Sequence, residues 1–268
     1  MTRRLRLDAE LVRRRLARSR EHAAELIAAG RVTVGGTVAS KAATGVSTDA
    51  ALVVRADPDA PDYVSRGGHK LAGALAVFAP GGLEVAGRHV LDAGASTGGF
   101  TDVLLRAGVA EVIAVDVGYG QLAWSLQQDA RVHVLDRTNL RDLVAELLPF
   151  APDLVVGDVS FISLTKVLPA LLSVSRPGAD FVLMVKPQFE VGKDQLGKGG
   201  VVREPELRVR AVLDVAGSAA DLGLGVVDVC ASPLPGPSGN VEYFLWMRHG
   251  AGSIDPARVW SVVDAGPE

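Results

Sequence analysis

Between Leu7 and Ala17 the apolar residues Leu7, Leu11, Val12 and Leu16 recur at helical spacing, with Arg13, Arg14 and Arg15 on the opposite side. The first element is therefore an amphipathic helix. Ser19 can cap a second helix, which carries Glu21 in its first turn, buries Leu26 and Ile27, and stops at Gly30. Val32-Thr-Val-Gly-Gly-Thr-Val38 is two short strands around Gly35-Gly36, the pattern of a tight hairpin. Leu52-Val-Val54 adds a further strand, and Ala56-Asp-Pro-Asp-Ala-Pro-Asp62 has the proline and aspartate content of a linker.

Beyond it, Ser65-Arg-Gly-Gly-His-Lys70 leads into a helix with Leu71, Leu75 and Phe78 inward. Strands and helices then alternate. Strands are expected near 89–92, 111–116, 131–136, 153–158, 180–185 and 225–231, and helices near 98–107, 121–128, 164–175 and 205–222. Such alternation is the pattern of a doubly wound, mainly parallel sheet. The end differs: Val241-Glu-Tyr-Phe-Leu-Trp-Met247 follows Pro233-Leu-Pro-Gly-Pro-Ser-Gly239 with no room for a crossover helix. It should pair antiparallel with 225–231, because parallel neighbours need a dozen or more connecting residues. The expected fold is α/β: a class I Rossmann-like methyltransferase sheet with a C-terminal antiparallel hairpin, preceded by a small α+β domain. The expected division is 1–57 for the head, 58–64 for the linker, 65–249 for the body and 250–268 for a tail in which no pattern is evident.

Charge separates the two parts. The net charge is −3, yet residues 1–59 hold 11 Lys+Arg against 7 Asp+Glu, with eight arginines between Arg3 and Arg20. A basic lobe on an acidic body suggests a polyanion-binding module, although a solvated arginine face would look the same. The single cysteine, Cys230, excludes an internal disulfide and a cysteine-based zinc site, and no metal is expected. Arg3, Arg4 and Arg6 run into further charge rather than an apolar signal core. The most apolar run, around Phe181 to Val185, is far short of the roughly 20 residues of a spanning helix. A cytoplasmic location is expected.

The densest chemistry lies in His89-Val-Leu-Asp-Ala-Gly-Ala-Ser-Thr-Gly-Gly-Phe100: a strand, an acid, a turn of small residues and a helix. Glycines let a backbone approach a ligand closely. The order here is not the dinucleotide Gly-x-Gly-x-x-Gly but the variant that cradles the amino-acid part of S-adenosylmethionine. Asp92, Gly94, Ser96, Gly98 and Phe100 are candidates for that turn. Asp116 ends the next strand 24 positions after Asp92, well placed for ribose hydroxyls. Asp136 and Asp158 close the following strands, and Lys186 closes Phe181-Val-Leu-Met-Val185. Ligands of such sheets sit beyond the carboxyl ends of the strands. An acid at one strand end is also a common turn former, and Asp136 fits that reading equally well. A lysine in the crevice beside Asp158 is more telling. A hydroxyl acceptor must shed its proton during methyl transfer, and a desolvated lysine can take it while carboxylates orient the lysine. The bland alternative is a lysine snorkelling out of the sheet edge.

Two resemblances add to this. The run LDAELVRRRLARSREHAAELIAAGRVTVGG, within residues 3–57, resembles the small RNA-binding domain of ribosomal protein S-four, which makes Arg3, Arg4, Arg6, Arg18, Arg20 and Lys41 the candidate phosphate contacts. The segments Ser65–Leu71, Leu91–Phe100, Gly157–Phe161, Val185–Glu190 and Pro235–Glu242 together closely resemble the TlyA family, which joins that head to an FtsJ-type body. The resemblance implies that Lys70, Asp158, Lys186 and Glu242 correspond to the Lys–Asp–Lys–Glu tetrad of FtsJ-type ribose 2′-O-methyltransferases. It implies S-adenosylmethionine as cofactor and cytidine 2′-hydroxyls in 16S and 23S ribosomal RNA, within the small and large subunits, as targets. The basic start and the length after Glu242 favour the form acting on both. No membrane and no protein partner is expected. Tyr63 departs from the family, where tryptophan is frequent, so packing between head and body could differ there.

Rival readings are disfavoured by residues. Amino-group methylation uses an Asn/Asp-Pro-Pro-aromatic loop where this chain has Asp158-Val-Ser-Phe161, and carbon-5 methylation needs a nucleophilic cysteine, whereas Cys230 lies in a late strand. For a membrane-active, haemolysin-like protein there is no spanning helix and no strongly amphipathic basic helix beyond Leu7–Arg20, whose arginines fit RNA equally well. A non-enzymatic RNA-binding protein would leave Lys186 without a role.

Overall fold

The computed structural model describes residues 4–55 and 61–266. Arg3 and the first part of the linker, residues 58–60, lie outside them. The chain forms two compact units, Met1–Asp62 and Tyr63–Glu268.

In the first unit, β1 (Arg4–Arg6) runs directly into α1 (Leu7–Arg13), and α2 (Arg20–Ala28) follows. Ser19 caps α2, its hydroxyl accepting from the His22 amide at 3.1 Å. β2 (Val32–Val34) and β3 (Thr37–Val38) form the hairpin. Gly35 and Gly36 both have positive φ, as a type I′ turn requires. β4 (Gly45–Ser47) pairs antiparallel with β1, and β5 (Leu52–Val54) with β2. Leu7, Leu11, Leu26, Ile27 and Val32 fill the small core.

The second unit opens with α3 (Arg66–Phe78), then β6 (His89–Ala93), α4 (Gly99–Arg106), β7 (Glu111–Val115), α5 (Trp124–Gln127), β8 (Val132–Leu135) and β9 (Leu154–Gly157). It continues through α6 (Leu168–Val174), β10 (Asp180–Val185), α7 (Pro187–Glu190), α8 (Pro205–Asp221), β11 (Leu224–Ala231), β12 (Tyr243–His249) and α9 (Pro256–Asp264). The seven strands lie in the order β11-β12-β10-β9-β6-β7-β8. From β10 to β8 neighbouring strands run parallel, while β12 is antiparallel to both β10 and β11. Strand order reverses at β6, whose neighbours are β7 and β9, so the crevice of this sheet opens between the carboxyl ends of β6 and β9.

Both sheet faces are covered, so the central strands are apolar throughout: β9, β10 and Tyr243–Met247 are buried along their whole length. Tyr63 packs inside the second unit, against Gly68 and beneath the Arg106 guanidinium, which lies 5.1 Å from its ring. Within the tail, residues 250–266 show packing that the sequence did not signal. Asp255 caps α9, and Val259, Val262 and Val263 join the core beside α8 and β11. Val259 has no exposed surface, so Val259→Ala should cost about 1–3 kcal/mol, read as a lower urea midpoint at unchanged slope; an unchanged midpoint would show that α9 adds nothing.

Candidate active site

The turn after β6 is built by crowding. A side chain at Gly94 would stand 2.9 Å from the Asp158 carbonyl, and its φ is +85°, so only glycine fits where the ends of β6 and β9 touch. Gly98 serves helix packing instead: a Cβ there would collide with Leu122 and Leu126. Ser96 adopts a positive φ of 48°. Its amide donates to Asp116 Oδ2 at 2.8 Å, and the Gly118 amide donates to Asp116 Oδ1 at 2.7 Å. Asp116 is thus locked facing a cleft of about 430 Å³ whose lining includes Gly94, Ser96, Asp116, Thr138, Asp158 and Phe161.

Four of the expected cofactor residues, Gly94, Ser96, Asp116 and Asp158, line this cleft. The others stand off it for separate reasons. Asp136 accepts from the Gly120 amide at 2.8 Å, the turn-forming role its position also allowed. Phe100 is buried and packs toward Phe244, 6.0 Å between ring centres. Asp92 has no exposed surface, and Thr101 donates to its Oδ2 at 2.7 Å. Asp92 Oδ1 has no hydrogen-bond partner among the described residues.

The expected tetrad forms two ion pairs. Lys70 Nζ lies 2.5 Å from Glu242 Oε2, both buried, and Lys186 Nζ lies 2.5 Å from Asp158 Oδ1. Because β10 and β12 are antiparallel with Val185 opposite Tyr243, the next positions outward, Lys186 and Glu242, are also opposite. Gly236 makes room for the Glu242 carboxylate, since a Cβ there would come within 2.6 Å of Oε1.

Two residues to which the sequence assigned no role complete the site. Lys186 Nζ also donates to Ser160 Oγ at 2.7 Å. Phe161 is 90% exposed, with φ of 66° and its ring 5.3 Å from that of Phe189. Both lie in the loop after β9, within the segment Gly157–Phe161 that carries part of the family resemblance, and no periodicity reveals that loop's path. Cys230 is buried and its thiol is pushed up to about 12 by that burial, which disqualifies it as a nucleophile at neutral pH.

The sequence families match this geometry. The family described as FtsJ-like methyltransferase matches residues 63–249, and the S4 domain matches residues 5–51. The 16S/23S rRNA (cytidine-2′-O)-methyltransferase TlyA of Mycobacterium tuberculosis is 62% identical over 248 residues, which cover 92% of this chain and 91% of that protein. The chain belongs to the TlyA family. Hemolysin A of Brachyspira hyodysenteriae is 38% identical over 241 residues, 89% of this chain and 98% of the relative. A solved structure from Streptococcus thermophilus, described as a hemolysin, superposes with a TM-score of 0.76 at 36% identity, covering 98% of this chain and 96% of that one. Among the described residues no helix is long and apolar enough to cross a membrane.

As a member of the TlyA family with an FtsJ-like body, the chain is an S-adenosylmethionine-dependent methyltransferase. The residues present suit that cofactor. Asp116 and Asp158 line the cleft at adjoining strand ends, so a cationic ligand is electrostatically favoured there. Burial pushes the Asp92 carboxyl up to about 7; the Thr101 hydrogen bond opposes this, while the charges of Asp158 and Asp116 add to it. A carboxyl raised in the fold keeps its proton longer than in the unfolded chain. Its contribution is therefore present below the usual carboxylate range and lost as pH rises towards about 7. The unliganded protein should lose stability across that window, and Asp92→Asn should lose markedly less. Equal pH slopes in chemical denaturation of the two proteins would contradict this.

Proposed function

We propose that this TlyA-family chain methylates the ribose 2′-hydroxyl of cytidines in 16S and 23S ribosomal RNA, with Lys186 at the acceptor oxygen. The observation that carries the reading is the Lys186 ammonium held by Asp158 and Ser160 at the end of β10, with Glu242 opposite and itself paired to Lys70. S-adenosylmethionine, when bound, supplies an electrophilic methyl group on a sulfonium. Once Lys186 has given up one proton to solvent, it takes the hydroxyl proton as the oxygen attacks, and Asp158 stabilises the ammonium that re-forms. The Lys70–Glu242 pair positions the ribose. Phe161 offers an exposed ring on which an unpaired base can stack beside the lysine. A ribose reading fits better than a base-directed one, because neither an aromatic-flanked proline loop nor a reactive cysteine faces the cleft.

The dual ribosomal target rests on the M. tuberculosis relative, which carries both RNA species in its name and aligns over nearly its full length. A Campylobacter jejuni relative named for 23S rRNA alone is 35% identical over 185 residues, 69% of this chain. A ribosomal target supports a cytoplasmic location.

The head supports RNA docking through arginines held in fixed orientations. Asp8 accepts from both Arg6 and Arg20, the hydrogen bonds from which hold its carboxyl down to about 2, Arg6 contributing most. Arg18 pairs with Asp62 at 2.8 Å. These guanidiniums remain partly exposed, as are Arg4 and Lys41. Fixed cationic groups on a small domain suit phosphate contacts, which position RNA without reading its sequence.

Lys186→Ala should abolish methyl transfer to ribosomal subunits while cofactor affinity, measured by calorimetry, stays within about twofold, since about 0.4 kcal/mol is all that such a change represents. Full transfer by that variant would remove the assignment. Replacing Arg4 and Lys41 by alanine should weaken RNA binding and shallow its slope against log salt by roughly 0.7–0.9 for each phosphate no longer neutralised; an unchanged slope would place the RNA elsewhere.

A further inference from the structure

Two separate segments bring groups to Lys186. The loop after β9 supplies Asp158 and Ser160, while α7, which begins immediately after Lys186, continues the strand that carries the lysine. Their mutual placement is not left to the ion pair alone. Glu190, the last residue of α7, accepts from Ser163 Oγ at 2.5 Å and from the Leu164 amide at 2.9 Å. The carboxylate thereby closes the free amide end of the short helical turn Leu164–Lys166 and ties it to α7. Ser163 Oγ is further fixed by Thr165 Oγ1 at 2.7 Å. The same two segments touch a second time through the rings of Phe161 and Phe189. Between them lies Phe161 with its positive φ of 66°, a conformation a bulky residue adopts only when its surroundings impose it.

We propose that Glu190 is a positioning residue for methyl transfer: its bidentate hold on Ser163 and Leu164 fixes the Asp158–Ser160 loop against the segment bearing Lys186. The proposal rests on Lys186 being the acceptor-side group. Glu190 itself lines neither the cofactor cleft nor the ion pairs, so its effect belongs to the geometry of transfer and not to cofactor binding. With the bolt removed, Ser160 and Asp158 lose their fixed distance from the lysine, and a displacement of about 1 Å at a reacting centre can cost on the order of 100-fold in rate.

The test compares Glu190→Ala, Glu190→Gln and Lys186→Ala in full-length protein, measuring kcat on unmethylated ribosomal subunits and the Kd for S-adenosylmethionine by calorimetry. Glu190→Ala should lower kcat at least about tenfold with cofactor Kd within about twofold, because the missing interaction acts only on placement. Glu190→Gln should recover most of the rate, its amide oxygen accepting from Leu164 and its amide nitrogen donating to Ser163. Should Glu190→Ala fail to fold, Ser163→Ala removes one of the two bonds, and a several-fold fall in kcat at unchanged cofactor Kd is expected instead. Unimpaired kcat in Glu190→Ala (or in Ser163→Ala, if Glu190→Ala does not fold), loss of cofactor binding in step with rate, or a glutamine variant as slow as the alanine one would overturn the proposal. If Lys186→Ala retains full transfer, the acceptor assignment falls and this proposal with it; if Lys186→Ala is inactive and Glu190→Ala is unimpaired, only the bolt falls.

Discussion

β12 enters the sheet antiparallel between β10 and β11, and the active end of the body depends on that insertion. The strand register puts Glu242 opposite Lys186, so a residue far along the chain reaches the lysine's strand end without any flexible loop having to carry it. The insertion is anchored strongly. Tyr243 to Met247 are buried on both sheet faces, and Trp246 Nε1 donates to Asp180 Oδ1 at 2.8 Å. Burial alone would raise the Asp180 carboxyl, but hydrogen bonds from Arg248 and Trp246 outweigh it and hold the group below its ordinary value. Arg88 completes this network at the end of the sheet remote from the site. One end of β12 is thus clamped by charge and packing, and just beyond the other end the buried Glu242 carboxylate pairs with Lys70.

The same division of labour appears at the switch point of the sheet. The glycine-rich turn was readable as a ligand cradle, yet its glycines answer first to protein packing: Gly94 to the Asp158 backbone and Gly98 to two leucines of the following helical region. The cradle is a by-product of how closely β6, β9 and α4 approach one another. Its polar lining comes from Asp116, oriented by the amides of Ser96 and Gly118. In the head, acids likewise orient arginines. Buried Asp8 fans out Arg6 and Arg20, and Glu10 does the same for Arg13 and Arg14.

Much of this was legible before any coordinates. Continuous apolar runs located the body strands and alternation located the hairpin at Gly35-Gly36, because buried parallel strands must be apolar and tight turns must contain glycine. The antiparallel last strand followed from loop length alone. What escaped was non-local or irregular. The pairing of β1 with β4 joins three-residue strands separated by two helices and a hairpin, and Arg4-Leu-Arg6 reads as charge before it reads as strand. α9 needed the spacing of Val259, Val262 and Val263 to be weighed against an otherwise polar ending. Ser160, Phe161 and Glu190 act through loop geometry, which leaves no periodic trace. Asp136 and Phe100 also serve the fold, Asp136 by accepting from the Gly120 amide and Phe100 by packing toward Phe244.

The central claim is that the site directs a methyl group to a ribose oxygen of RNA. The most direct measurement incubates the protein with S-adenosylmethionine labelled in its methyl group and with separated, unmethylated ribosomal subunits, then digests the RNA and identifies the labelled nucleoside by mass spectrometry. Label recovered as 2′-O-methylcytidine is expected. Label on a nucleobase, or none in RNA from either subunit, would contradict the account.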